Sequence, residues 1–140
     1  MKLITKKTDY ALRALSFMAQ KNNIVSVNEM AEELMIPKPF LRGILQELEK
    51  KKIVKSFKGK GGGFDLAKAS EKIFLTELIA IFQGPIKLHE CLIRKSICPN
   101  VRECLLKEKI EKIRKYAIAE LESITIGSII HKEVINERGF

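Results

Sequence analysis

The cysteines of this chain are concentrated in one short stretch. Cys91, Cys98 and Cys104 are the only three, and their spacing is C-x6-C-x5-C. Thiolates are preferred ligands of soft metals and of iron–sulfur clusters. An odd number of cysteines, in a chain whose first residues lack the pattern of a signal peptide, argues against a disulfide framework. The spacing therefore favours a metal site, with an iron–sulfur cluster as the leading interpretation.

Three other interpretations of the cysteines stay open at this point. Structural zinc is also tetrahedral, although the close cysteine pairs that usually mark it are missing from the sequence. The thiols could also sense redox state without metal, or be three free thiols. A metal site needs a further ligand, for which the candidates are His89 and Glu90 nearby and Asp9 and His131 further away.

The charge of the chain indicates a polyanionic partner. Lysine and arginine number 26 against 17 aspartates and glutamates, which gives a net charge of +9 and a pI near 9.5. Nucleic acid is the first candidate for such a partner, and an anionic membrane surface is the second. The most apolar run, residues 73–82, contains Glu77 and is too short to span a bilayer. We therefore expect a cytoplasmic protein without a membrane span.

No pattern in the sequence indicates an enzyme. The chain has two histidines, and neither an acid–base pair nor a nucleophile with partners is recognisable. The lysine- and glycine-rich residues 58–63 could cradle a phosphate, but the nucleotide-binding form of such a loop ends in GK[ST] and leads into a helix. Here a strand-like segment follows the glycines, so we expect no enzymatic activity.

The first half of the chain has the apolar periodicity of three short helices. The first is predicted over residues 8–20, with Thr8 or Asp9 as its cap. The second opens at Ser26, which has a glutamate three residues later in the spacing of a capping box. The third is predicted over residues 38–51, and the tight turn before it makes the pair a helix-turn-helix candidate.

Two strand-like segments and a long helix complete the predicted fold. Residues 53–57 and 64–67 flank a glycine-rich turn that permits a tight hairpin, as in the wing of a winged helix-turn-helix. After a short helix capped by Thr76, apolar residues recur at helical intervals over residues 106–124, and Thr125 is expected to cap a last helix. We interpret the long helix as a dimerisation helix, because helix-turn-helix proteins usually read two half-sites; the alternative is a helix packed on its own domain. The fold class is therefore mainly α, a winged helix-turn-helix with a small two-stranded wing and a long C-terminal dimerisation helix.

Seven residues are expected to contact DNA. Three lie at intervals of four on the third helix, where they share one exposed face and can reach base edges. Four lysines extend from the end of that helix into the wing, where they can neutralise phosphates. The base-reading set is Lys38, Arg42 and Gln46, and the phosphate-binding set is Lys52, Lys55, Lys58 and Lys60. Gly43, beside Arg42, either leaves room for a close approach of DNA or relieves crowding within the protein.

Two segments and the three cysteines together carry a resemblance to a known family. The segments are LITKKTDYALRAL near the N-terminus and IPKPFLRGILQELEKKKIVKSFKGKGGGFDLAK in the middle of the chain. They resemble the winged-helix regulators that include IscR and NsrR, over about residues 1–130. The resemblance implies a bacterial cytoplasmic homodimer that binds pseudo-palindromic promoter DNA and senses nitric oxide, redox state, iron or iron–sulfur supply. It also implies a 2Fe–2S or 4Fe–4S cluster, which an aerobic preparation can lose and which a minority of such regulators lack.

The same resemblance assigns ligands residue by residue. Cys91, Cys98 and Cys104 match the three cysteine ligands, although the first gap is one residue longer than in IscR-like members. The histidine that IscR-like members place three residues after the last cysteine is Lys107 here, and a protonated amine cannot bind metal. Asp9 matches the aspartate that NsrR-like members supply from the other subunit, unless Asp9 serves only as a helix cap.

The predicted organisation has three parts. Residues 1–84 form the winged helix-turn-helix domain, residues 85–104 the cluster-binding loop, and residues 105–140 the dimerisation helix with the C-terminal tail. The expected function is a dimeric transcription regulator whose promoter binding is controlled by an iron–sulfur cluster. The alternative is a cluster-free regulator of the same fold, either thiol-based or constitutive. IscR has polar and acidic readers at the positions of Pro37, Pro39, Arg42 and Gly43, so we expect a different operator.

Overall fold

The structure, a computed structural model, describes residues 3–84 and 105–130. Helices dominate, and two short strands form one antiparallel sheet. A 3-10 turn at Ser70–Lys72 precedes the fourth helix, and residues 126–130 are helical. The prediction of a mainly helical winged helix-turn-helix is confirmed. The main elements are α1 (Lys6–Lys21), α2 (Val27–Leu34), α3 (Lys38–Lys50), β1 (Val54–Phe57), β2 (Gly63–Leu66), α4 (Leu75–Phe82) and α5 (Leu105–Glu122).

Helix α1 begins earlier than predicted, and neither Thr8 nor Asp9 caps it. The cap is Thr5, whose Oγ1 accepts a hydrogen bond from the Thr8 amide at 3.5 Å. Thr8 is fully buried inside the first turn, and Asp9 is an acidic residue of that turn. The cap prediction was wrong because the first turn is mostly polar, so the apolar periodicity used to find the helix starts only after it.

The helix-turn-helix is confirmed, and its turn is tight. Ser26 caps α2 as predicted, accepting a hydrogen bond from the Glu29 amide at 3.1 Å. Met35 ends the helix in a left-handed conformation (φ 55°) that reverses the chain, and its side chain is 88% exposed. Proline lies in the first turn of α3, where a missing N–H leaves no hydrogen bond unmade.

The core of the DNA-binding unit lies between α1, α2, α3 and the wing. Each helix contributes the apolar face that its sequence period predicts. On α3 the buried face leaves the opposite side of the helix free, which is the geometry required of a recognition helix. The largest fully buried side chains of this core are Leu15, Met18, Val25, Met30, Leu41, Leu45, Leu48 and Ile53.

Close backbone approach anchors the wing to the segment between α1 and α2. Strands β1 and β2 pair from Val54 opposite Leu66 to Phe57 opposite Gly63. Val25 and Phe64 also exchange two backbone hydrogen bonds, of 2.9 and 2.8 Å. A Cβ on Gly63 would stand 2.2 Å from the carbonyl oxygen of Val25, so only glycine fits there. The wing is thereby held in a fixed position beside the helix-turn-helix.

Backbone pairing, rather than a side chain, fixes the start of α4. The residue before the helix is Phe74, not Thr76 as predicted, and Phe74 forms an isolated bridge with Thr125. This long-range pairing has no local sequence signature, which is why the cap prediction was wrong. Thr125 does cap the helical residues 126–130 as predicted: its backbone and side chain exchange hydrogen bonds of 3.0 and 3.1 Å with Ser128.

Helix α5 has a broad apolar face, of which the other described residues cover only part. Ile110 is its one buried residue, and α5 contacts α4. Four large side chains lie along the neighbouring part of the same face and are between 58% and 69% exposed. We call these four the exposed stripe: Leu105, Leu106, Ile113 and Tyr116. Across residues 3–84 and 105–130, no helix is long and apolar enough to cross a membrane.

Candidate nucleic-acid interface and metal ligands

The three predicted base-reading residues are exposed on α3. Lys38, Arg42 and Gln46 lie outside the apolar contacts by which Leu41 and Leu45 hold the helix on the core. Within the described part of the chain, neither Lys38 nor Arg42 forms an ion pair, so both cations are available to an external anion. The arrangement allows Arg42 to donate two hydrogen bonds to one guanine edge.

The predicted phosphate-binding lysines form a second group, beside α3. Lys52 lies in the turn after α3 with a left-handed backbone (φ 62°), and Lys58 and Lys60 lie at the tip of the wing. Lys55 projects from β1, where its ammonium stands 5.8 Å from the centre of the Phe57 ring. All four side chains are exposed, and they lie on the turn and the wing that directly follow the recognition helix in the chain.

Removing the charges of the wing tip is expected to reduce the salt dependence of DNA binding. In the variant Lys58→Ala/Lys60→Ala, each lost phosphate contact lowers the slope of log K against log salt concentration by about 0.9. The reduction is therefore nearly two for each wing bound to the duplex, with weaker binding to every duplex at low salt. Fluorescence anisotropy with a labelled duplex at several salt concentrations measures the slope.

The matched control is Lys112→Ala/Lys115→Ala, which removes the same charge from exposed positions of α5. These lysines lie far along the chain from the wing, and we expect the wild-type slope. An equal reduction in both variants would show that overall charge, and not the wing, sets the salt dependence.

Asp9 lies on the outer side of the first turn of α1. Its carboxylate forms an ion pair with Arg13 at 3.2 Å, and the two side chains are 43% and 55% exposed. Both line an open pocket of about 390 Å³ that also includes Leu34 and Ile129. Because Thr5 is the cap, the interpretation of Asp9 as a helix cap is wrong. The carboxylate remains accessible to a group approaching from outside the protomer.

The cysteines and most other candidate ligands lie outside the described residues. This holds for Cys91, Cys98 and Cys104, and also for His89, Glu90 and His131. Among the residues that the structure does describe, no group of three or more histidine, cysteine, aspartate or glutamate side chains could hold a metal ion. Lys107 is exposed in the first turn of α5. An accessible Asp9 therefore fits an iron–sulfur cluster that receives one ligand from a different protomer.

A hydrogen-bonded group that the sequence did not reveal joins the end of α4 to the start of α1. The Gln83 Oε1 atom accepts hydrogen bonds from the Thr5 amide at 2.9 Å and from the buried Thr8 hydroxyl at 2.7 Å. The Gln83 Nε2 atom donates to the Leu3 carbonyl at 3.0 Å. We call this group the Gln83 clamp. The clamp joins Gln83 to the turn that carries Asp9. In the sequence, Gln83 and Gly84 directly precede the predicted cluster-binding loop, residues 85–104.

The fold and the basic surface define a winged helix-turn-helix DNA-binding protein. A family profile described as Rrf2, iron-dependent transcriptional regulator, matches residues 4–132. The chain belongs to the Rrf2 family of transcriptional regulators.

Named relatives and solved structures agree with this membership. The HTH-type transcriptional regulator NsrR of Bacillus licheniformis is 35% identical over 130 residues, which cover 91% of each chain. NsrR of Oceanobacillus iheyensis is 32% identical over 133 residues, covering 93% of this chain and 90% of the relative. The solved structure of T. potens IscR has a TM-score of 0.73 at 25% identity, covering 100% of this chain and 92% of that one. CymR, the global cysteine regulator of B. subtilis, shares the fold with a TM-score of 0.74 at 23% identity, covering 94% of this chain and 98% of that one.

The membership confirms two further predictions. The relatives are transcriptional regulators, so the chain is a DNA-binding regulator and not an enzyme. The assignment of individual residues to DNA or metal stays a prediction.

Proposed function

We propose that the protein is a cytoplasmic homodimer that binds promoter DNA with an affinity set by an iron–sulfur cluster. Cys91, Cys98 and Cys104 would hold the cluster, and Asp9 of the other protomer would complete the ligand set. The observation that carries the proposal is the state of Asp9: a half-exposed carboxylate that does not cap its helix and stands beside an open pocket.

The chemistry of the ligand set supports a sensor. Thiolates bind iron–sulfur clusters, and a single oxygen ligand among them is the more labile position, open to exchange with nitric oxide or dioxygen. The Asp9 carboxylate forms an ion pair with Arg13 at 3.2 Å on the half-exposed side of α1, so it stands at the surface, where a ligand from another protomer must be. The protein names NsrR and IscR among its relatives and structural neighbours also fit this choice.

The exposed stripe of α5 supports the homodimer. Four large apolar side chains, of which Tyr116 is 69% exposed, lie on one face of a helix that the other described residues cover only in part. A second copy of α5 would bury them and place two recognition helices on one duplex, as two half-sites require.

The Gln83 clamp supports a connection between the two functions. It links the residue before the cysteine stretch to the first turn of α1, and α1 packs directly on the recognition helix α3. A rearrangement at either end of this path alters the position of α1, which is the kind of two-state element that coupling between sites requires.

The proposal is tested by the metal content of protein purified without oxygen. We expect visible absorption, with iron and acid-labile sulfide in comparable amounts, and we expect Cys98→Ala to lose all three. DNA affinity should change when the metal is removed from the wild type and should not respond in Cys98→Ala. Zinc in place of iron would contradict the cluster and indicate a structural site. Colourless, metal-free protein with full DNA affinity would instead establish the cluster-free thiol-based or constitutive regulator.

A further inference from the structure

Gly43 is an exposed glycine in the interior of the recognition helix, and residues 3–84 and 105–130 give it no packing role. A Cβ built on it has no atom of the described structure within 4 Å. Its backbone is ordinary right-handed helix, so no unusual φ angle requires glycine either. The glycines of the wing differ in this respect. A Cβ on Gly62 would stand 2.3 Å from a backbone oxygen, and a Cβ on Gly63 would stand 2.2 Å from another. Among the described residues, therefore, no contact supports the interpretation that Gly43 relieves crowding within the protein.

The glycine nevertheless weakens the helix that contains it. Glycine is among the poorest residues for a helix interior, after proline, because it loses the most backbone entropy on folding. Gly43 lowers the stability of the helix, and no contact among the described residues requires a glycine there. We therefore look for a molecule outside the protein that requires the missing side chain. At this position the external molecule is DNA, since α3 is the recognition helix of a regulator.

Gly43 also lies at the centre of the outward face of α3. The buried residues Leu41, Ile44, Leu45 and Leu48 define the inner face, and the opposite side of a helix is about two residues away in sequence. Pro39, Gly43 and Gln46, at i, i+4 and i+7, occupy that opposite side and are all exposed. Arg42 and Lys38 lie at its edge. A pocket of about 350 Å³ between α3 and the ends of α1 and α4 borders Gly43, with Lys7 and Phe82 in its lining.

We propose that Gly43 is a specificity-determining residue, where the backbone of α3 comes into contact with base edges in the major groove. Without a side chain at this point the helix lies deeper in the groove, so that Pro39 and Gln46 on either side reach the bases. The ring of Pro39 suits the methyl group of thymine, and the amide of Gln46 suits the N6 and N7 atoms of adenine. Pro39 and Gln46 therefore recognise A·T pairs, next to the guanine that Arg42 can contact from the edge of the face. The inference rests on the proposed DNA binding but not on the cluster.

The test uses a duplex obtained by selection from a random library with the full-length wild-type protein. We expect Gly43→Ala to bind the selected duplex at least tenfold more weakly, with binding to a scrambled duplex changed by less than twofold. The melting temperature should rise by about 3 °C, because alanine is the better helix former. Gly43→Leu should lose the preference for the selected duplex entirely. Higher stability with lower specific affinity cannot result from damage to the fold.

A second variant examines the base identity. Gln46→Ala should bind the selected duplex and its A·T-to-G·C derivatives with similar affinity, whereas the wild type should discriminate against the derivatives by at least tenfold. Unchanged affinity of Gly43→Ala for the selected duplex would overturn the inference, and so would a selected site without A·T pairs. Neither result depends on metal content, so failure here is distinguishable from failure of the cluster proposal.

Discussion

Replacing Ile113 by aspartate is expected to convert the protein from a dimer into a monomer and to lower its affinity for the selected duplex by about two orders of magnitude. Ile113 is 62% exposed in the middle of the exposed stripe, between Leu106 and Tyr116. In a twofold-symmetric interface each substitution occurs twice. Burying a side chain of this size contributes about 1.5–3 kcal/mol, so the pair changes the dimerisation free energy by about 3–6 kcal/mol before the carboxylates are counted. That change is enough to separate the protomers at micromolar concentration.

The loss of DNA affinity follows from the loss of the second half-site. In a dimer, binding of one recognition helix brings the other to the duplex at a high effective concentration. A monomer retains only the contacts of one α3 and one wing. Analytical ultracentrifugation gives the oligomeric state, and anisotropy with the selected duplex gives the affinity.

Two controls separate the stripe from the general effect of a new charge. Ile113→Leu keeps an apolar side chain and should remain dimeric. Lys115→Asp places a carboxylate at an exposed position on the opposite side of α5 and should also remain dimeric. If Ile113→Asp sedimented as a dimer with normal DNA affinity, α5 would not be the dimerisation helix.

Local sequence signals predicted the parts of this fold that are local. Ser26 caps α2 because its hydroxyl reaches an amide three residues away, and Thr125 caps residues 126–130 in the same way. The glycine hairpin is predictable because single glycines can adopt positive φ angles. The proline in the first turn of α3 is predictable because no N–H is needed at that position. The apolar period placed the recognition helix to within a residue of its observed end.

Long-range contacts account for what the sequence did not reveal. The start of α4 depends on the bridge between Phe74 and Thr125, and the Gln83 clamp joins residues separated by 75 to 80 positions. No spacing rule connects such residues, because they meet only when the tertiary fold is complete. Gly43 posed a different problem: the sequence left two reasons for a glycine open, and only the space around it in three dimensions separated them.

Replacing Gln83 by alanine is expected to abolish the dependence of DNA affinity on metal while leaving DNA binding itself intact. The substitution removes the acceptor of the Thr5 amide and of the buried Thr8 hydroxyl, which should lower the free energy of unfolding by about 1–2 kcal/mol. It also disconnects the residues before the cysteine stretch from the turn that carries Asp9. In the wild type we expect affinities of the metal-containing and metal-free forms to differ by about tenfold or more, as for typical allosteric couplings. In Gln83→Ala this ratio should fall below about twofold, as measured by anisotropy on both forms.

Two comparison variants, Ser26→Ala and Gln83→Glu, separate a positioning role of Gln83 from a purely structural one. Ser26→Ala removes the cap of α2 and should lower stability by about 1 kcal/mol, close to the loss in Gln83→Ala, yet keep the wild-type affinity ratio. Gln83→Glu keeps an oxygen for Thr5 and Thr8 but turns a carboxylate oxygen toward the Leu3 carbonyl in place of a donor, so it should retain part of the coupling. Gln83→Ala and Ser26→Ala are both destabilised, but only Gln83→Ala removes the hydrogen bonds between the end of α4 and the start of α1. The ratio of DNA affinities with and without metal is therefore the deciding measurement, and the stability is not. A normal ratio in Gln83→Ala would place the coupling elsewhere, with the contact between α4 and α5 as the next path to test.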